Sequence, residues 1–81
     1  MTHTSYSPEI QALPILRKGS QGEYVVRLQK RLNDFGFHLV VDGIFGPATE
    51  AAVRQFQKDY RLTVDGIVGP QTWSALFHEF F

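Results

Sequence analysis

Apolar residues recur at steps of three and four in three stretches of the chain, which is the spacing of one face of an α-helix. The apolar positions of the first stretch are Val25, Leu28, Leu32 and Phe35. Those of the second are Ala52, Val53, Phe56 and Tyr60. Those of the third are Trp73, Leu76, Phe77 and Phe80. This pattern predicts an all-α fold in which three short helices pack their apolar faces around one core.

Small and polar residues indicate where these helices begin and end. Ser20 followed by Glu23 matches the capping box, in which two side chains bind the free amides at a helix start. Gly36 is suited to end the first helix, because glycine readily adopts the left-handed backbone conformation. The Gly-Pro pairs at 46–47 and 69–70 predict the starts of the second and third helices, since proline is well tolerated at the first helical position.

Residues 41–49 and 64–72 repeat each other at an offset of 23 residues, and each copy contains Val-Asp-Gly-Ile followed by Gly-Pro and a threonine. The aspartate of such a turn accepts hydrogen bonds from nearby amides, and the next glycine permits a positive φ. Upstream of each copy, Val-x-x-Leu-Gln at 25–29 is similar to Val-x-x-Phe-Gln at 53–57. The fold is therefore predicted to be a small three-helix bundle built from a duplicated helix-turn unit.

The segment before the first predicted helix contains Thr, Ser, His and Pro without periodicity. Residues 1–15 are therefore predicted to be a tail or linker and residues 16–81 the domain, with Ile10, Leu13, Ile15 and Leu16 as possible docking positions. The first 15 residues lack the basic start and apolar run of a secretory signal, and no stretch is long enough to span a membrane. Export would then depend on another element.

Several segments together resemble the peptidoglycan-binding domain found beside bacterial and phage cell-wall hydrolases. The matching parts are Leu16 with Gly19 and the segments 25–29, 41–57 and 64–76. The resemblance covers residues 16 to 77 and includes both turn motifs in order, which makes it specific. It implies a helical, peptidoglycan-binding-domain-like fold. It also implies a location in the cell wall, periplasm or extracellular space.

One position departs from the family pattern, which often has glycine where this chain has Arg61. A left-handed residue other than glycine at a helix end costs on the order of 1 kcal/mol. The end of the second predicted helix is the feature that this departure affects.

Charge and cysteine content exclude some classes of function. The 81 residues contain eight basic and eight acidic side chains, so the chain lacks the net positive charge that drives binding to nucleic acid. It contains no cysteine, so it has neither disulfides nor a thiolate nucleophile. We expect no nucleic-acid partner and no membrane association, and we expect a monomer.

The acidic and histidine residues do not form a recognisable catalytic or metal-binding pattern. Asp42 and Asp65 could be a pair of glycosidase carboxylates, but each belongs to its own turn motif and is better explained as a turn residue. His3, His38 and His78 lack the close spacing of zinc ligands, and the acidic ligands of a calcium loop are missing. We therefore predict no catalysis, no metal and no cofactor.

The resemblance implies a non-catalytic module that binds peptidoglycan (muropeptide) and targets an attached or associated hydrolase to the wall. The candidate ligand-binding residues are Asp42, Gly43, Phe45, Gly46, Thr49, Arg31 and Arg54. The turn and helix start offer free amides, and the arginines offer charge for stem-peptide carboxylates. Off the helical faces, Tyr24, Phe37, His38 and Phe45 are predicted to be the more exposed rings.

Two alternatives remain open at this point. The pseudo-equivalent segment from Asp65 to Trp73 is a second candidate site. A protein-interaction or pro-domain-like scaffold without a glycan ligand is the alternative function, since a fold alone does not fix function.

Overall fold

The computed structural model of the chain describes residues 6–77. Within this range, the chain forms four helices: α1 (Pro8–Gln11), α2 (Glu23–Asp34), α3 (Pro47–Asp59) and α4 (Pro70–Phe77). Helices α2, α3 and α4 correspond to the three predicted helices, so the all-α prediction is confirmed. In the described residues, α2 packs against α3 and α1 packs against α4, and none of these helices is long and apolar enough to cross a membrane.

Helix α1 lies inside the segment that was expected to be a tail, so ordered structure begins before Leu16. The Ser7 hydroxyl caps this helix by accepting a hydrogen bond from the Ile10 amide at 3.3 Å. Ile10 is only 2% exposed and belongs to the core. The indole Nε1 of Trp73 donates to the Pro14 carbonyl at 2.9 Å, which ties the same segment to α4.

The start of α2 also differs from the prediction. Gly22 precedes the helix at a φ of 117°, and no side chain caps the helix there. The Ser20 hydroxyl instead accepts a hydrogen bond from the Arg17 amide at 3.1 Å. The Ser20 carbonyl accepts from the Phe45 amide at 2.9 Å, which holds Ser20 beside the first turn rather than over the helix end. The predicted capping box is therefore wrong.

Two residues with positive φ follow α2 and α3. Gly36 has a φ of 100° directly after α2, as its position predicted. Arg61 has a φ of 58° after α3, so this arginine adopts the left-handed conformation at a cost of about 1 kcal/mol. The following amide of Leu62 donates to the Gln57 carbonyl at 2.8 Å, which closes the end of α3.

Two isolated antiparallel bridges join the segment before α2 to the two turns. Leu16 pairs with Val68, and Gln21 pairs with Ile44. The Leu16 and Val68 amides donate to each other's carbonyls at 3.0 and 2.8 Å. The Gly22 amide donates to the Gly43 carbonyl at 2.9 Å. Each turn is thus held against the same short stretch of extended chain.

The core residues predicted from the helical pattern are buried: Val25, Leu28, Leu32, Val53, Phe56, Trp73 and Leu76. Two aromatic predictions are wrong. Phe45 was expected to be exposed but is 1% exposed, because the first turn directs it into the core. Tyr60 was expected in the core but is 44% exposed, with one ring face stacked on Phe56 at 4.5 Å between centroids. Phe80 lies outside the described residues.

Candidate functional site

The first turn is organised by a buried glutamine of α2. The Nε2 atom of Gln29 donates to Asp42 Oδ1 at 3.0 Å, to the Ile44 carbonyl at 3.0 Å and to Thr49 Oγ1 at 3.1 Å. Its Oε1 atom accepts from the amides of Asp42 at 3.1 Å and Gly43 at 2.9 Å. One side chain therefore satisfies both ends of the turn and joins it to the first turn of α3.

The Asp42 carboxylate is part of the same turn. Its Oδ1 atom accepts a hydrogen bond from the Ile44 amide at 3.0 Å, as the turn motif predicts. This bond lowers the pKa of Asp42 below its ordinary value, and the hydrogen bond from Gln29 lowers the pKa further. Gly43 has a φ of 75°, a conformation that favours glycine, and a Cβ atom there would lie in tight contact with Val26 Cγ2, at 3.2 Å.

We expect stability to fall in acid as Asp42 becomes protonated. The folded-state pKa lies below the ordinary value of 3.8, so the stabilisation is complete above that value. It is lost as the pH falls through the lowered pKa. An NMR titration of the Asp42 carboxyl should give a midpoint below 3.8, and Asp42→Asn should weaken the acid dependence of unfolding. A midpoint at or above the ordinary value would contradict this assignment.

The second turn repeats the first bond for bond. The Nε2 atom of Gln57 donates to Asp65 Oδ1 at 3.0 Å, to the Ile67 carbonyl at 3.0 Å and to Thr72 Oγ1 at 3.1 Å. Its Oε1 atom accepts from the amides of Asp65 at 3.1 Å and Gly66 at 3.0 Å. The Ile67 amide donates to Asp65 Oδ1 at 2.9 Å. The predicted duplication therefore extends to the polar contacts.

These contacts bear on the chemistry of the two aspartates. Each carboxylate accepts hydrogen bonds from its own turn amide and its own buried glutamine, which is the structural role expected of a turn aspartate. Among residues 6–77, no group of three or more His, Asp or Glu side chains is placed to hold a metal ion. His38 is exposed, and His3 and His78 lie outside the described residues.

A cleft of about 410 Å³, here named groove one, lies beside the first turn and the start of α3. Its lining residues are Gln29, His38, Leu39, Val40, Asp42, Ile44, Gly46, Pro47, Ala48 and Thr49. Of the candidate residues in the first turn, the structure places Asp42, Gly46 and Thr49 along this groove. Gly43 lies buried beneath it, and Phe45 points into the core.

The two candidate arginines lie away from groove one. The Nε atom of Arg31 donates to the Leu76 carbonyl, and its guanidinium lies 5.1 Å from the Phe77 ring centroid. Its side chain is only 12% exposed, so Arg31 joins α2 to the end of α4. Arg54 lies 4.0 Å from the Glu50 carboxylate and borders Gly66 of the second turn. Substitution of Arg31 would therefore lower stability, so a change in binding could not be assigned to a lost ligand contact.

A smaller cleft of about 260 Å³, here named groove two, lies beside the second turn and the start of α4. Its lining residues are Ile15, Arg17, Thr63, Asp65, Ile67, Gly69, Pro70, Gln71 and Thr72. The Oε1 atom of Gln71 accepts a hydrogen bond from the Thr63 amide at 3.0 Å. In groove two, the Gln71 side chain therefore binds a backbone amide of the groove lining. In groove one, Ala48 has no polar side chain that could do the same.

Comparison with known proteins places both turns within the matched part of a known domain family. The family model of the peptidoglycan binding domain matches residues 21–76, which include both glutamine networks. The chain belongs to the peptidoglycan-binding domain family. A zinc D-Ala-D-Ala carboxypeptidase of Streptomyces albus G is 50% identical over 48 residues, which cover 56% of this chain and 19% of that protein. The chain spans about a fifth of the length of the curated relatives it matches.

Solved structures agree with this assignment. The SleB N-terminal domain superposes with a TM-score of 0.79 at 39% identity, covering 84% of this chain and 94% of that domain. The Burkholderia AP3 phage endolysin superposes with a TM-score of 0.77 at 46% identity, covering 78% of this chain and 24% of the endolysin. This fold thus accounts for nearly all of the SleB N-terminal domain and for about a quarter of the endolysin chain.

Proposed function

We propose that this chain is a non-catalytic peptidoglycan-binding module that targets an attached or associated cell-wall hydrolase to the wall. The observation that carries the proposal is the family match across residues 21–76, within which both turn networks are complete. The matched part is a small share of the carboxypeptidase and the endolysin. A module of this kind raises the local concentration of its partner enzyme on the polymer. The proposed location is outside the cytoplasm, and the proposed state is a monomer.

The absence of catalysis in this proposal rests on what the acidic residues do. A general acid or nucleophile must be able to reach a reacting group, and glycosidases place two carboxylates about 5–10 Å apart for this purpose. The Oδ1 atoms of Asp42 and Asp65 each accept two hydrogen bonds that hold separate turns together. Moving either carboxylate towards a substrate would break those bonds.

We propose groove one as the binding site, with Asp42, Gly46 and Thr49 along it and Gly43 supporting its floor. The first amides of a helix lack helical partners, so the start of α3 offers hydrogen-bond donors to a ligand. Apolar side chains form part of the rim, since Ile44 is 51% exposed. Arg54 lies five residues after Thr49, about 7–8 Å further along α3, and is proposed to meet a stem-peptide carboxylate outside the groove.

The test is retention of the chain on insoluble purified peptidoglycan. We expect retention at low salt and a partial loss as the ionic strength rises, because exposed charge pairs are screened within about 3 Å at 1 M salt. Arg54→Ala should lower retention without changing the melting temperature, whereas the matched change Lys58→Ala on the same helix should change neither. Flow-through of the folded chain at low salt would reject the proposal and favour a protein-interaction scaffold.

A further inference from the structure

One of the differences between the two grooves is whether a polar side chain lies across them. The repeated turn segments differ only where Phe45 aligns with Val68 and where Ala48 aligns with Gln71. The first pair is buried, so it cannot alter the groove surface. The second pair lines the two grooves, with Ala48 in groove one and Gln71 in groove two.

In groove two, the side-chain carbonyl of Gln71 binds a backbone amide of the same chain. Its Oε1 atom accepts from the Thr63 amide at 3.0 Å. The repeat offset of 23 residues aligns Thr63 with Val40, and each of these residues lines its groove together with the position 48 or 71 side chain. The methyl group of Ala48 has no hydrogen-bonding atom. Groove one is also the larger of the two, at about 410 Å³ against 260 Å³.

The charge of groove one restricts which ligand group fits there. Asp42 is the one carboxylate among the lining residues, and neither lysine nor arginine is among them. The lowered pKa of Asp42 keeps this carboxylate charged at neutral pH. An anionic ligand group would meet this negative charge without a lysine or arginine of the groove lining to offset it. A neutral carbonyl avoids that repulsion and still accepts a hydrogen bond.

We propose that groove one binds peptidoglycan through a neutral amide carbonyl, which takes the place that the Gln71 side chain occupies in groove two and accepts from the Val40 amide. This inference rests on the proposed function and specifies the ligand group that the site recognises. The carbonyl can come from the acetamido group of the glycan or from a peptide bond of the stem. Groove two, with its own carbonyl in place, is then the copy that does not bind.

The first experiment introduces glutamine in groove one at position 48, which aligns with Gln71 of groove two. Ala48→Gln should lower retention on insoluble peptidoglycan by about tenfold or more, because the new carboxamide competes for the Val40 amide and fills the groove. The matched control is Ala51→Gln, the same exposed substitution one turn further along α3, which should retain wild-type binding. Gln71→Ala should also leave binding intact.

The second experiment observes the donor directly and needs no variant. In ¹⁵N spectra of the wild-type chain, we expect the Val40 amide signal to shift when a chitin tetramer or a synthetic stem pentapeptide is added. A shift with the tetramer alone identifies the acetamido carbonyl, and a shift with the pentapeptide alone identifies a peptide carbonyl. The Thr63 amide, already bonded to Gln71, should not shift.

The outcomes separate this inference from the proposed function. If the wild-type chain does not bind peptidoglycan, the proposed function fails. If it binds and Ala48→Gln binds as well as Ala51→Gln, the proposed carbonyl site is wrong. If Ala48→Gln does not fold, the Val40 signal decides, and an unchanged signal during saturable binding of either probe overturns the inference.

Discussion

Replacing Phe45 with alanine should lower the free energy of unfolding by about 3–5 kcal/mol, although the residue lies in a turn between helices. The ring is 1% exposed and belongs to the core cluster, so its removal leaves a cavity. A small domain is stable by only about 5–15 kcal/mol, so this loss is a large fraction of the total. Thermal and urea unfolding measure it.

The conservative variant Phe45→Leu separates packing from other effects. Leucine keeps most of the buried volume, and hydrophobic replacements of similar volume usually cost less than about 1.5 kcal/mol. The exposed ring of Tyr24 provides a second control, since Tyr24→Ala should change stability far less. A Phe45→Ala protein that unfolds like the parent would show that the ring does not belong to the core.

The helices could be predicted because their signals are local. Apolar residues spaced at three and four positions identify the buried face of α2 and α3, and Gly-Pro pairs mark the starts of α3 and α4. Helix α1 gave no periodic signal because it has only four residues. Its local signs were the Ser7 cap and the proline that follows, but four residues cannot form a stable helix without the packing of Ile10.

The burial of Phe45 could not be predicted from the turn pattern, because it depends on contacts that are distant in sequence. The amide of Phe45 donates to the Ser20 carbonyl, and its carbonyl accepts from the Gly19 amide. These two bonds orient the turn against an earlier segment. The repeat did contain a sign, because the aligned residue is Val68, and two apolar residues at one repeat position are typical of a shared core position.

The positions of Arg31 and the two buried glutamines also depend on contacts that are distant in sequence. Charged and amide residues on a helix are usually solvated, so the sequence favoured Arg31 as a charge available to a ligand. One of its partners, the Leu76 carbonyl, lies 45 residues away in the chain. Gln29 and Gln57 were visible as part of the family motif, yet nothing local indicates that a glutamine is buried. Their recurrence before both turns was the available signal.

Replacing Gln29 with leucine should lower the free energy of unfolding by about 3–5 kcal/mol and should also abolish binding at groove one. Leucine has nearly the same volume but leaves the buried amide of Gly43 and the hydroxyl of Thr49 without their partner. Unpaired buried polar groups each cost about 1–3 kcal/mol. Urea unfolding measures the stability, with exposed Gln55→Leu on α3 as the matched control.

The glutamate variant distinguishes loss of the amide from loss of packing. Gln29→Glu keeps an oxygen that can accept from the amides of Asp42 and Gly43, but it replaces the Nε2 donor with a second acceptor. That acceptor would face two oxygens that Nε2 now binds and that cannot donate, the Asp42 carboxylate and the Ile44 carbonyl. At neutral pH, Gln29→Glu should therefore be at least as destabilising as Gln29→Leu, even though it is closer in shape to glutamine. If Gln29→Glu is instead as stable as the parent, the turn does not depend on the donor, and the hydrogen bonds from Nε2 do not hold it.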